Sequence, residues 1–442
     1  MKKLSFFVFS SLILTQASQA RVIYGEDHRR EVSEATPFQQ QFAKSAATMI
    51  SVDDMKRLSF KPGLVQLTQR TLRQWMESQV NQGSEQKKNA LFSKEAQKLS
   101  QSGITFCEGE LFVDQPNPGM CSGFLIAPDL LVTAGHCAEI PTFCSEYKWV
   151  FGFEYNPVTQ TAGINIKEED IYSCKKVISS ALSQPTGLDY ALIQLDRDVK
   201  NREPLSFRND GLIPNKSPIF VVGSPSGLPL KVADGANVRE NSHPFYFGAN
   251  LDTFQGNSGS GVFNAKNGMI EGILVRGEED YVPNQDMMCI EANKCPDDGC
   301  RGESVTRITA IPEIGVQATL IQVSESGDLT TLERLLKLNF WLDFYGKDKT
   351  TALMRAAKNA QDKIIEALIK KGADVNLQDA EGNTALHKLV GVLNNKTEPA
   401  LVSLLKGNPN IKLKNKTGQS ALDLAKIVNS QAVAILAKYN IK

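Results

Sequence analysis

Histidine is scarce in this chain, with 4 in 442 residues, and neither sign of charge is in excess, since Lys plus Arg and Asp plus Glu number 49 each. His28, His136, His243 and His387 are scattered without the spacing of metal ligands, so no metal site and no cofactor are expected. The even charge balance gives no electrostatic reason to expect a nucleic acid or an anionic membrane as partner. No apolar run after the first twenty residues is long enough to span a bilayer. Cysteine is missing from the whole C-terminal part: all eight lie between Cys107 and Cys300.

What is present begins with an address. Lys2 and Lys3 precede the apolar run Leu4 to Leu14, and Ser18-Gln19-Ala20 supplies small residues for cleavage, the layout of a secretory signal peptide over residues 1–20. The short core suits bacterial export, so a secreted or periplasmic protein is expected, with no membrane insertion once the signal is removed. An even cysteine count in an exported chain favours disulfides. With 41% hydrophobic and 22% charged residues the composition is that of a globular protein, and the length predicts about three domains.

Three short segments carry the chemistry: Thr133-Ala134-Gly135-His136-Cys137, then Leu188-Asp189-Tyr190-Ala191-Leu192-Ile193, then Gly256-Asn257-Ser258-Gly259-Ser260-Gly261. A serine hydroxyl is barely nucleophilic at neutral pH, so acyl transfer needs a base to take its proton and a third group to orient that base. Ser258, His136 and Asp189 are the candidates for those catalytic roles. Gly256 and Gly259 allow a sharp turn, and the N–H groups of Gly256 and Ser258 are the expected oxyanion hole. Taken singly, each segment has an ordinary structural use. The order His, Asp, Ser, each flanked by strand-like apolar runs, points to a nucleophilic triad.

On these residues the chain from about Val22 to about Ile311 resembles the trypsin-like, chymotrypsin-fold serine endopeptidases, and more closely their bacterial glutamyl-endopeptidase-like branch. Cys121-Ser122-Gly123-Phe124-Leu125-Ile126-Ala127-Pro128 resembles the strand pair before the family's histidine, and Asp252-Thr253-Phe254-Gln255-Gly256-Asn257-Ser258 its nucleophile loop. The resemblance implies an all-β architecture of two six-stranded antiparallel barrels with the triad between them. It also implies a Cys121 to Cys137 disulfide, while the other six cysteines keep fifteen possible connectivities, at least one bridge being local to Cys289, Cys295 and Cys300. By the same pattern Asp252 is expected on the floor of the substrate-binding pocket and Gly277 on its wall, giving a preference for Lys or Arg; the alternative is an Asp252 that only caps the turn into the nucleophile loop. Arg276 is then placed to reach over and neutralise Asp252. Leu274 stands where the glutamyl-specific branch has a histidine. The family's animal members carry aspartate before the serine, but this chain has Asn257. Arg21-Val22-Ile23-Tyr24-Gly25 faintly resembles an activation site, yet Val22 stands 114 residues before His136, so no activation by a freed N-terminus is expected.

After about Val316 the character changes. Thr351-Ala352-Leu353, Thr384-Ala385-Leu386-His387 and Ser420-Ala421-Leu422 repeat at 33 and then 36 residues, and Leu332-Glu333-Arg334-Leu335-Leu336 returns as Ile365-Glu366-Ala367-Leu368-Ile369. This is similar to the ankyrin repeat, with its turn-to-helix signature and a glycine, Gly372, after the second helix. About four units are expected, an all-α solenoid, with the three extra residues falling between the helices of one unit near Val392 to Glu398. Such units do no chemistry and offer a surface for a protein partner, or pack as a lid.

The expected organisation is therefore a signal peptide over 1–20, a protease domain over 21–316 with an insertion over about 56–101, and an ankyrin domain over 317–442. In the insertion Leu64, Leu67, Leu72, Trp75 and Met76 recur at roughly helical spacing. The function expected is that of an exported serine endopeptidase acting on a protein or peptide. A non-catalytic binding scaffold and an esterase on the same triad are the alternatives.

Overall fold

The computed structural model describes residues 22–81, 103, 105–139, 141–159, 161–162, 164–183, 185–208, 211–337, 342–345 and 349–439. The expected signal peptide and the second half of the 56–101 segment lie outside these residues.

Six strands form the first closed antiparallel barrel: β1 (Ala46–Ser51), β2 (Gly119–Ala127), β3 (Leu130–Thr133), β4 (Tyr147–Phe151), β5 (Ile171–Leu182) and β6 (Asp189–Leu195). Around the barrel they run β1-β2-β3-β6-β5-β4 and back to β1. The second barrel comprises β7 (Pro218–Gly223), β8 (Lys231–Glu240), β9 (Tyr246–Ala249), β10 (Gly261–Asn264), β11 (Ile270–Arg276) and β12 (Glu303–Arg307). Its order, β7-β8-β9-β12-β11-β10 and back to β7, repeats that of the first.

The strands Phe124 to Ala127, Leu130 to Val132 and Ala191 to Ile193 are apolar without alternation, and every one of these side chains is buried. One face fills the barrel and the other is covered by the rest of the chain, so both faces are apolar. A single cluster joins the barrels, with Leu125, Leu131 and Ile193 from the first in the same core as Phe220, Val232 and Ile273 from the second.

The chain before the first barrel is woven into both. Ile23–Tyr24 pairs in parallel with Lys294–Cys295, and Arg29–Glu31 adds to β8. Thr36 caps the helix Pro37–Ala43, whose Phe42 packs on Phe220 and Phe263 at 5.6 and 4.8 Å between ring centres. In the described part of the 56–101 segment Leu72–Asn81 is helical, whereas Leu64–Leu67 is a strand with Val65 and Leu67 buried. A helix through Leu64 was the wrong expectation, because the alternating burial of Leu64–Leu67 serves a strand paired on both sides. Leu72 and Met76 share a core with Ile23, Phe254 and Tyr281. The disulfides join Cys121 to Cys137, Cys107 to Cys289, Cys144 to Cys174 and, locally, Cys295 to Cys300.

Among the described residues four helix pairs follow: α1 (Pro312–Ser326) with α2 (Leu329–Leu335), α3 (Ala352–Lys358) with α4 (Asp362–Lys370), α5 (Ala385–Val390) with α6 (Thr397–Leu405), and α7 (Ala421–Val428) with α8 (Ser430–Tyr439). Thr351, Thr384 and Ser420 each cap the helix that follows by accepting the N–H of the residue three on, which is why this position recurs in the repeat. His387 Nδ1 lies 2.9 Å from Thr384 Oγ1, and Nε2 lies 3.1 Å from the Gln419 carbonyl, so this histidine ties adjacent units together. The extra residues of the third pair fall in the loop 391–396, outside both helices.

Barrel and array are joined by more than chain continuity. Ile311 and Ile314 lie in the barrel core, whereas Leu320 and Val323 of the same helix α1 lie in the core of the array. Phe344, 1% exposed, crosses back from the array into the barrel core and meets Phe207 edge-on at 5.7 Å.

Candidate active site

His136 sits in the turn Gly135–Ala138 that follows β3, and Asp189 opens β6, the strand hydrogen-bonded beside β3. The pairing brings together two residues 53 apart in sequence: Asp189 Oδ2 lies 2.9 Å from His136 Nδ1, and Asp189 Oδ1 accepts the His136 backbone N–H at 3.1 Å. Burial alone would raise the Asp189 carboxyl, but the hydrogen bonds and charge of His136, with Arg276 adding to them, hold it below the usual carboxylate range. The carboxylate, 1% exposed, is thereby kept ionised and fixes the ring orientation.

Ser258 lies in the turn before β10. Gly256 and Gly259 on either side have φ of +95° and +89°, a region other residues enter only with strain. A side chain at Gly256 would strike the Ser224 carbonyl, and one at Gly259 the Ser122 carbonyl and the Thr133 hydroxyl. The loop is thus pressed against the strands that carry His136: the Ser258 carbonyl accepts the Ser122 N–H at 2.7 Å and lies 3.8 Å from Cys137 Sγ. The Asn257 and Gly259 amides are committed to the carbonyls of Phe254 and Leu274 at 2.9 and 2.8 Å. Asn257 itself is buried, and its Oδ1 accepts from the Ser260 hydroxyl at 3.3 Å.

Cys121, His136 and Cys137 are the one cluster of potential metal ligands among the described residues, and the two sulfurs are joined in a disulfide, so they are not available as thiolate ligands.

Asp252, expected on the pocket floor, is engaged by the N-terminal segment. It is 2% exposed, and its two oxygens accept the backbone N–H groups of Tyr24 and His28 at 2.7 and 2.8 Å, with His28 Nδ1 at 3.3 Å. The N-terminal segment satisfies this carboxylate from a distance of 228 and 224 residues along the chain, which no local pattern reveals. Next to it Thr253 N–H reaches the Val22 carbonyl at 3.4 Å. Arg276 likewise does not reach Asp252; it donates to the Gly187 carbonyl at 2.7 Å and brings Nε to 4.0 Å from Asp189 Oδ2. Gly277 does not border open space. A side chain there would collide with the carboxylate of Glu303, which is fully buried and accepts the Thr253 hydroxyl at 2.6 Å. Sequence reasoning missed Glu303 altogether, since it stands at the start of β12 with no motif around it. Leu274 is buried in the core of the second barrel.

Residues 121–273 match the family described as trypsin-like peptidase domain, and residues 320–391 match ankyrin repeats in three copies. The first match spans the strand pair, His136, Asp189 and the Ser258 loop; the second runs from Leu320, within α1, to Gly391, just past α5. The chain therefore carries a trypsin-like peptidase domain, built as two six-stranded antiparallel barrels, followed by ankyrin repeats.

Proposed function

We propose that this protein is an exported serine endopeptidase of the glutamyl-endopeptidase-like branch, with its ankyrin array contacting proteins. Ser258 attacks the peptide carbonyl, His136 takes the proton and returns it to the leaving amine, and Asp189 orients the imidazole. The N–H groups of Gly256 and Ser258 hold the oxyanion. The observation that carries this reading is the double contact of Asp189 with His136, ring and backbone, beside a glycine-braced serine loop. Four disulfides accord with an oxidising compartment, and no helix among the described residues is long and apolar enough to cross a membrane.

The test is fluorophosphonate labelling of the purified protein beside Ser258→Ala and His136→Ala. Wild type is expected to label at Ser258 and to cleave peptides, with either variant lowering kcat by several orders of magnitude, roughly 10⁴ or more. Turnover retained in Ser258→Ala would remove the nucleophile assignment. Ester cleavage without any peptide cleavage would replace the endopeptidase by an esterase.

A further inference from the structure

Ser258 lies on the second barrel, whereas His136 and Asp189 lie on the first. Chemistry between them needs the two barrels held to a fraction of an ångström. On the serine side the hold is made by backbone, with the Ser122 N–H on the Ser258 carbonyl and Gly259 packed against Ser122 and Thr133. On the aspartate side Arg276 makes the link.

Arg276 ends β11, two residues beyond Leu274, which exchanges hydrogen bonds with Gly259 and Ser260 at 2.8 and 3.0 Å. From there the guanidinium crosses to the first barrel. It donates to the Gly187 carbonyl at 2.7 Å and brings Nε to 4.0 Å from Asp189 Oδ2, the same oxygen that faces His136 Nδ1. Gly187 lies in the connection from β5 to β6 with φ of +70°, and any side chain there would meet the Tyr246 ring of β9. The chain entering Asp189 is thus held to the second barrel by Tyr246 and Arg276. One strand, β11, thereby touches both the loop of the proposed nucleophile and the carboxylate that orients the base.

The Asp189 carboxylate is 1% exposed, and the charges that hold it ionised are those of His136 and Arg276, one on each barrel. A fixed cation at this distance does more than tether. It shares the carboxylate's charge and so opposes a second positive charge on the imidazole when the proton moves. Of the other titratable groups around the junction, Tyr246 packs on Gly187, and His243 stacks on Tyr246 at 3.9 Å between ring centres.

We propose that Arg276 is a positioning residue for the catalytic pair: its guanidinium, reaching over from the second barrel, fixes the Gly187 to Asp189 stretch and offsets part of the Asp189 charge seen by His136. This rests on the serine endopeptidase reading of the site.

The test compares Arg276→Gln, which removes the charge, with Arg276→Lys, which keeps it, in the full chain, active enzyme being counted by fluorophosphonate labelling. Arg276→Gln is expected to lower kcat roughly 10- to 100-fold while KM for a small peptide changes less than about threefold. Its acid limb of kcat/KM should move upward by about 0.5 to 1 pH unit, whereas that of Arg276→Lys should stay with wild type. A limb that stays in place in Arg276→Gln, or moves equally in both variants, overturns the charge role. A raised KM with kcat unchanged makes Arg276 a substrate contact and overturns the proposal as well. So does a limb that moves in His243→Gln and not in Arg276→Gln. If Arg276→Gln does not fold, Arg276→Lys still decides, because a limb displaced in that variant contradicts a role carried by the charge. Wild type that does not label overturns the peptidase reading and this inference together, whereas the other outcomes leave that reading standing.

Discussion

Asp252 is a buried carboxyl group held by the backbone amides of Tyr24 and His28. Burial is the main cause that pushes the Asp252 carboxyl up, from 3.8 to about 6, against the pull of the Tyr24 and His28 amides. An acid raised in this way holds its proton more tightly folded than unfolded, so its contribution to stability is full below about 4 and is lost as pH climbs through about 6. Wild type is therefore expected to lose up to about 3 kcal/mol relative to Asp252→Asn between pH 4 and pH 6.5. Urea midpoints of the two proteins against pH measure this, and parallel curves would show that Asp252 does not titrate in that window. Asp252→Asn also places a donor against one of the two amides that now bind the carboxylate. At neutral pH we expect easier proteolysis of the segment from Val22 to His28 and an unchanged preference at the cut site. A lost basic preference in this variant would return Asp252 to the substrate pocket.

Among the elements, those whose pattern was local were legible. The apolar runs of β2, β3 and β6, the turns around His136 and Ser258, and the caps Thr351, Thr384 and Ser420 all combine a short signature with a backbone need, and each lies where the sequence placed it. What escaped was set by contacts across the fold. Leu64–Leu67 became a strand because neighbours were available on both sides, and the Val22 to His28 segment became part of the nucleophile loop's support through bonds to Asp252 and Thr253. Phe344 is a further example, an array residue whose partner Phe207 belongs to the barrel. Removing it should cost about 3–5 kcal/mol of packing at that seam. Phe344→Ala is expected to speed limited proteolysis between α2 and α3 well above wild type while the barrel's own digestion pattern stays the same. An unchanged rate there would mean that the seam holds without this ring.

At the scale of the whole molecule, every side chain placed at the candidate site lies before α1. A chain ended after Gly327, with α1 complete, should hydrolyse a small peptide within about threefold of wild type in kcat/KM, a change of less than about 1 kcal/mol. A chain ended at Val316 cuts through α1 and should be the less stable of the two, as thermal midpoints would show. If the longer chain folds but cannot cut a small peptide, the array belongs to the catalytic architecture.

Helix α1 has one further consequence, for the order of assembly. A repeat stack needs a first ordered unit on which the next can form, and isolated helix pairs are poor nuclei. Here the first helix starts in the core of the barrel, and the barrel leaves the ribosome ahead of the array. The barrel thus supplies the nucleus, and order should spread pair by pair toward Tyr439. Pulled from the C-terminus, the protein should unravel α8 and α7 first and yield α1 only with the barrel itself.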